Sequence, residues 1–332
     1  MANLEIGVPM KTMGIRVLGS AETMPERIVT TAEVAELCGI STDEAIRRTG
    51  VKTRHWLGDH EDPLEQGVLA AEKAIRAAGL QVSDIDLVLN ASGTPMQAIP
   101  DGGALIAAEL GMQDRFAFSV HATCISFLVA FKQAAFYIDA GLAEFILIVS
   151  TEAGSRGLNF AQPESAILIG DAAVAVVVGK PANQRQGIVA AGFSTDTAGI
   201  RHAEIRGFGS RLRVEEAVQR TDDFKFDMQG LSLLRGALKR FTPFLETVRP
   251  GLSTNFGEID RIIPHQTSRA GMQMMSKYWG WEKMVVTLGE VGNTIAASIP
   301  LAMHRAEVQP GETALMIGTG AGTHYGALIV QW

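Results

Sequence analysis

The chain repeats itself, and the repeat limits what it can fold into. Asp84-Ile85-Asp86-Leu87-Val88-Leu89 is matched by Glu258-Ile259-Asp260-Arg261-Ile262-Ile263, Ala143–Val149 by Gly311–Ile317, and Ala173–Val178 by Gly326–Val330. Each segment is a short apolar run of the kind that forms a strand buried on both faces. The three pairs occur in the same order, so the reading is two similar α/β halves, 1–182 and 183–332, meeting at the polar stretch Pro181–Gln186. The offset between partners falls from 174 to 168 to about 153 residues. The extra chain therefore sits in the first half between Ser150 and Gly170, as a surface loop or a pocket wall.

Amphipathic segments alternate with these strands. Asp62-Pro63-Leu64-Glu65 reads as a helix start, with Asp62 as N-cap and Glu65 as reciprocal cap. Leu64, Val68, Ala71, Ile75 and Ala78 give one apolar face, and Gly79 ends the helix. Gly102–Leu110, Leu231–Phe241 and Gly271–Trp279 have similar patterns. A length of 332 residues with 47% hydrophobic and 20% charged residues fits a soluble protein of about two domains. A net charge of −7 argues against a nucleic-acid surface. Apolar runs are strand-length, such as Ala172–Val178, so no membrane span is expected. Met1–Gly14 lacks the pattern of a signal peptide. Two cysteines, Cys38 and Cys124, cannot build a disulfide framework or a zinc cluster, and they fit a reducing, cytoplasmic setting.

Cys124 lies in Ser119-Val120-His121-Ala122-Thr123-Cys124-Ile125-Ser126, ahead of an apolar run reaching about Tyr137. This reads as strand, sharp turn and buried helix. A thiol at the first turn of such a helix faces the helix dipole and unpaired N–H groups, which favour thiolate; the alternative is a small core residue. His265, in Ile262-Ile263-Pro264-His265-Gln266, stands at the C-terminal end of a buried strand, where functional groups gather, or is simply satisfied by a backbone carbonyl. Asn293 occupies a turn before the small-residue run Ala296-Ala297-Ser298, a place that ordinary cap chemistry also explains. Gly318–Gly326 is a glycine-rich turn without the Lys-Ser/Thr ending of a phosphate loop; its backbone can supply an N–H to an oxyanion.

Together, Cys124, His265 and Asn293, spaced by 141 and 28 residues, with the Pro-His-Gln and Gly-Asn-Thr contexts, resemble the β-ketoacyl-ACP synthase III family of the thiolase superfamily. The resemblance extends to Thr49–His55, Gly170-Asp171-Ala172 and the glycine-rich end. It implies a five-layer αβαβα thiolase-like fold of two βαβαβαββ halves and a homodimer. It implies no cofactor and no metal, with acyl-CoA, malonyl-CoA or acyl carrier protein thioesters as substrates. Cys124 would hold the acyl group, His265 and Asn293 would bind the enolate oxygen left by CO2 loss, and the N–H groups of Cys124 and Ala321 would form the oxyanion hole. Ala321 replaces the family's middle glycine.

The chain departs from the family in several places. His121 replaces a small residue and either tunes the thiolate or bonds a neighbour. Ser126 follows where the family has glycine. The family's adenine-stacking tryptophan falls near Glu44, leaving Arg48 of a Trp/Arg pair, and a second arginine falls near Pro163. Both changes weaken coenzyme A contacts and favour donor delivery by acyl carrier protein or an unusual coenzyme A pose; Arg235, Arg269 and Lys277 lie on segments that resemble the family's docking surface for that carrier. Ile99 falls where the partner subunit enters the acyl tunnel, and Phe160, Met228 and Gly230 are further lining residues. These departures lean toward a specialised pathway, such as polyketide or signal synthesis, over housekeeping fatty-acid initiation. A thiolase needs a second cysteine that Gly318–Gly326 lacks, and the glycine motif of plant-type polyketide synthases differs. Head-to-head condensation needs a glutamate near Ala98–Pro100, leaving only Asp101, and acyl transfer to oxygen or nitrogen is disfavoured by Asn293. A non-catalytic partner subunit is disfavoured by the intact Cys/His/Asn set.

Overall fold

The computed structural model describes residues 12–254 and 257–332; the signal-peptide reading at Met1–Lys11 lies outside them. The first sheet contains β1 (Arg16–Thr23), β2 (Leu87–Asn90), β3 (Phe116–Ser119), β4 (Phe145–Glu152) and β5 (Ala172–Gly179), in the order β1-β5-β4-β2-β3. The second contains β6 (Gly187–Thr195), β7 (Arg261–Pro264), β8 (Thr313–Gly320) and β9 (His324–Gln331), in the order β7-β8-β9-β6.

The pairing is the same in both. β2 runs parallel to β4 as β7 does to β8, and the next two neighbours are antiparallel in each sheet. Only the β3 position differs: the second sheet has a single parallel bridge, Ile262 to Met284. The repeated apolar runs thus occupy equivalent strands, and β6 continues where β5 ends after a polar turn.

Alternating side chains build five layers. Leu87, Leu89, Ile146, Ile148, Val176 and Val178 face inward and meet Ile263, Ala314, Met316, Leu328 and Val330 of the other sheet. Between them lie Phe127, Leu128 and Phe131 of α3 (Ser126–Asp139) and Ile299, Ala302 and Met303 of α6 (Ser298–Ala306). The outer face of the first sheet, with Val88, Leu147, Val149 and Val177, packs on α1 (Pro63–Ala77) and α2 (Gly102–Glu109). The outer face of the second, with Ile262, Leu315, Ile317 and Ile329, packs on α4 (Gly230–Val248) and α5 (Arg269–Trp279). α3 is apolar nearly all round because sheets enclose it on two sides.

Asp62 caps α1, accepting from the Leu64 N–H at 2.8 Å, and Gly79 follows its end with φ +71°. The side chain of Glu65 makes no reciprocal cap. α4 runs past Phe241 and through Pro243 because Phe244, Leu245 and Val248 continue its buried stripe. No described helix is long and apolar enough to cross a membrane.

Candidate active site

β3 ends at Ser119, and the chain turns sharply before α3. Thr123 takes the left-handed conformation, φ +52°, which a β-branched residue adopts only when its surroundings hold it there. Ser126 does much of the holding. Its hydroxyl accepts from the Ala122 N–H at 2.9 Å and donates to the Thr123 carbonyl at 2.6 Å. The Thr123 hydroxyl reaches across to the second half and donates to the Ala321 carbonyl at 3.1 Å. The cysteine loop and the glycine-rich turn are thereby tied together.

Cys124 is set between them. Burial pushes its thiol up to about 12, the Glu152 carboxylate adds to the rise, and the N–H groups of Ala321 and Cys124 itself pull the other way. The expectation of a thiol activated by the helix dipole is therefore corrected: Cys124 precedes the first turn of α3, and desolvation of the anion outweighs the local dipoles.

His265 directly follows β7. Its Nδ1 lies 2.7 Å from the Thr319 carbonyl and its Nε2 3.1 Å from Asn293 Oδ1. The Ile295 N–H donates to the same Oδ1 at 2.9 Å, which fixes the amide and leaves Nδ2 with only the Thr267 carbonyl at 3.4 Å. Burial lowers the histidine pKa, while its two oxygen neighbours raise it. The neutral ring satisfies one of those oxygens at a time. Asn293 is held by its own backbone, which donates to the Leu168 carbonyl and accepts from the Gly170 N–H.

Cys124, His265, Asn293 and Ala321 line one cavity of about 970 Å³. Met228 and Gly230 also line it, and Ala153, Gly154, Arg156 and Gly157 make the extra loop of the first half a pocket wall. Phe160 does not reach it. Its ring packs 6.2 Å from Trp56 in a separate core cluster, a correction to its reading as a lining residue. Arg48 also stands outside the cavity, in an ion pair with Glu44 at 2.5 Å. Ile99 is 86% exposed. Arg235, Arg269 and Lys277 are exposed on α4 and α5. His121 lines the cavity, with Nε2 3.3 Å from the Gly93 carbonyl; the pKa of His324 is lowered first by burial and second by His121.

Sequence reasoning passed over Glu152. Its carboxylate is buried at the end of β4 and accepts from Gly93 N–H at 2.6 Å, Thr94 N–H at 2.9 Å and the Thr94 hydroxyl at 2.7 Å. Burial raises its pKa to about 8 against these bonds. A charged residue ending an otherwise apolar strand was the available signal. Among the described residues no cluster of His, Cys, Asp or Glu is placed to hold a metal.

Comparison with known proteins points to one family. The family described as 3-oxoacyl-[acyl-carrier-protein (ACP)] synthase III matches residues 118–197, and its C-terminal counterpart matches 252–332. The β-ketoacyl-[acyl-carrier-protein] synthase III of Brucella abortus (strain S19) is 32% identical over 96% of this chain and 98% of its own. That of Allorhizobium ampelinum is 33% identical over the same shares. Among solved structures, the 3-oxoacyl-(acyl carrier protein) synthase III of Pseudomonas aeruginosa PAO1 superposes with a TM-score of 0.84 at 26% identity, covering 96% of this chain and 98% of that one. The priming β-ketosynthase of the R1128 polyketide pathway has the same TM-score and identity, covering 98% of both chains.

Proposed function

The chain belongs to the β-ketoacyl-ACP synthase III family, and we propose that Cys124 is the nucleophile of its decarboxylative Claisen condensation. Cys124 Sγ attacks the carbonyl carbon of an acyl thioester. The new S–C bond forms, the donor's S–C bond breaks, and the donor thiol leaves with a proton. The N–H groups of Cys124 and Ala321, already directed at Sγ, suit the oxyanion of that tetrahedral step. A malonyl thioester then loses CO2, and the electron pair of the broken C–C bond becomes an enolate. Asn293 Nδ2 and a proton on His265 Nε2 form a two-donor cradle for the enolate oxygen. The enolate carbon attacks the acyl carbon, and the Cys124 thiolate departs. The product is a β-ketoacyl thioester.

The observation that carries this reading is the meeting of Cys124, His265, Asn293 and Ala321 on one cavity wall. The first half, 1–182, supplies the nucleophile, and the second, 183–332, supplies the enolate donors. A homodimer is part of the reading. β3 is a sheet edge, and Phe116 at its start is exposed; pairing two such edges covers both. The exposed Ile99 then enters the acyl tunnel of the second copy and, being smaller than phenylalanine, leaves room for a longer primer. Acyl carrier protein is the favoured donor because Glu44 occupies Arg48; Arg235, Arg269 and Lys277 offer the cations that would meet its acidic surface.

Intact-protein mass spectrometry tests the reading. Wild type, with Cys124→Ala as control, is incubated with acyl groups on coenzyme A and on acyl carrier protein. An acyl adduct on wild type alone, discharged by a malonyl donor as a β-ketoacyl product, is expected. An adduct on both proteins, or on neither, refutes Cys124 as the nucleophile.

A further inference from the structure

The outer wall of the cavity comes from a segment between β6 and α4 with little regular structure. Its two arms meet in a minimal antiparallel pair, Ala203–Glu204 with Asp227–Met228. Ala203, Ile205, Gly207 and Phe208 of the first arm, and Phe226 and Met228 of the second, line the cavity. Arg206 lies between two lining residues without lining the cavity itself. Its Nε donates to Asp223 Oδ1 at 2.8 Å, and its Nη1 donates to Asp227 Oδ2 at 2.8 Å and Glu204 Oε1 at 3.1 Å.

One guanidinium thus gathers three carboxylates drawn from both arms. Asp223 also pairs with Arg220 at 2.5 Å, and Asp227 accepts from Gln162 at 3.0 Å. On the inner side the Gly207 N–H donates to the Asp223 carbonyl at 2.6 Å, and the Phe208 ring meets Phe224 edge-on at 4.9 Å. Phe208 is held at φ +63°, an unusual conformation for a bulky residue, while 66% exposed. A lone ion pair at this exposure would do little. A charge-assisted network that crosses from one arm to the other differs, because deleting its centre leaves Glu204, Asp223 and Asp227 facing one another with one cation fewer.

We propose that Arg206 is a positioning residue for substrate selection: it clasps the two arms so that their apolar inner face forms a fixed roof for acyl chains long enough to reach it. The proposal rests on the synthase reading above. A short acyl group on Cys124 ends below the roof, whereas a longer one gains contact with Ile205, Phe208 and Phe226.

The test is the rate of acyl-enzyme formation on Cys124 for straight-chain donors from acetyl to dodecanoyl, in wild type, Arg206→Met and Arg206→Lys. The expected result is a fall in kcat/KM for the longest accepted donor at least about tenfold greater than for acetyl, the scale of a lost methylene contact. The fall should reside mainly in KM, and lysine should restore part of it. An equal fall for all donors, or an unchanged profile, overturns the clasp. Should Arg206→Met not fold, Asp227→Asn carries the same expectation and the same refutation. Wild type that takes no acyl group from any donor overturns the synthase reading and the clasp with it; wild type that is acylated while the variants keep its profile overturns the clasp alone.

Discussion

The Glu152 carboxylate is close enough to the Cys124 thiol to oppose its ionisation, and burial holds both groups toward their protonated forms. The thiol is pushed up to about 12, with burial first and Glu152 second among the causes, and the carboxylate is pushed up to about 8 by burial. Near neutral pH burial therefore favours the protonated form of both groups. On the proposed mechanism, Sγ attacks the thioester carbonyl as its proton passes to the donor's leaving thiol.

Alkylation of Cys124 by iodoacetamide should accordingly be slow near neutrality and climb about tenfold per pH unit to beyond about pH 9 without a plateau, since only thiolate reacts. Glu152→Gln removes an anion that opposes the thiolate, so above about pH 8 the variant should react faster than wild type. Peptide mapping separates Cys124 from Cys38, whose thiol is also raised by burial. A plateau below pH 8 in wild type would show an activated thiol and contradict this account.

Glu152 also makes stability depend on pH, with a definite sign. Its folded value of about 8 lies above its ordinary 4.5. Between those values the native state keeps a proton that the unfolded chain has released, so unfolding becomes easier as pH rises. The stabilisation is complete below 4.5 and is lost as pH climbs through about 8. Melting temperatures of wild type should fall across that range relative to Glu152→Gln. The carboxylates shifted downward, such as Glu33 and Asp223, are common to both proteins and cancel in the comparison. Parallel curves for the two proteins would remove Glu152 from the explanation.

The parts of this molecule that were legible in the sequence are those set by apolar periodicity. The repeated strands, the buried helix after Cys124, the place of His265 beyond a strand end and that of Asn293 in the turn before a small-residue run all follow from where apolar runs start and stop. What was not legible depends on distant partners. Glu152 looks like a stray charge until Gly93 and Thr94, some 58 residues away, supply its donors. The roof around Arg206 has no periodicity, because ion pairs and a two-residue strand pair order it. Phe160 was misread because a loop aromatic near a cavity and one packed on Trp56 have the same local sequence. Thiol activation was misread because helix polarity is visible in sequence whereas desolvation is not.

Glu44 and Arg48 form an i,i+4 pair on the short helix Thr42–Thr49, both partly exposed. Such a pair adds little to stability, so breaking it should leave the fold intact while freeing the Arg48 guanidinium. Glu44→Ala should lower KM for acyl-CoA donors several-fold, with kcat and the use of acyl carrier protein donors unchanged. Glu44→Trp should go further by adding a stacking surface. Steady-state kinetics with both donor forms decide the matter: equal gains for both donors, or none for coenzyme A, would mean that Arg48 takes no part in donor choice.

Asn293 should separate the two half-reactions of the proposed condensation. Its amide lies on the His265 side of the cavity, with Oδ1 held by the Ile295 N–H and Nδ2 nearly unpartnered. On the proposed mechanism, acyl transfer to Cys124 would use neither atom, whereas the enolate formed on CO2 loss would need the Nδ2 donor. Asn293→Ala should therefore still form the acyl-enzyme but discharge it with malonyl donor about a hundredfold or more slowly, the usual loss for one oxyanion donor. His265→Ala should act in the same direction, and the double variant should lose much less than the sum of the two single losses, because the donors act as a unit on one oxygen. Rapid-quench mass spectrometry follows both stages on one sample. If Asn293→Ala instead slows acylation and discharge alike, the amide serves the shape of the loop around Gly292 and Ile295, and the enolate cradle must be sought elsewhere on the cavity wall.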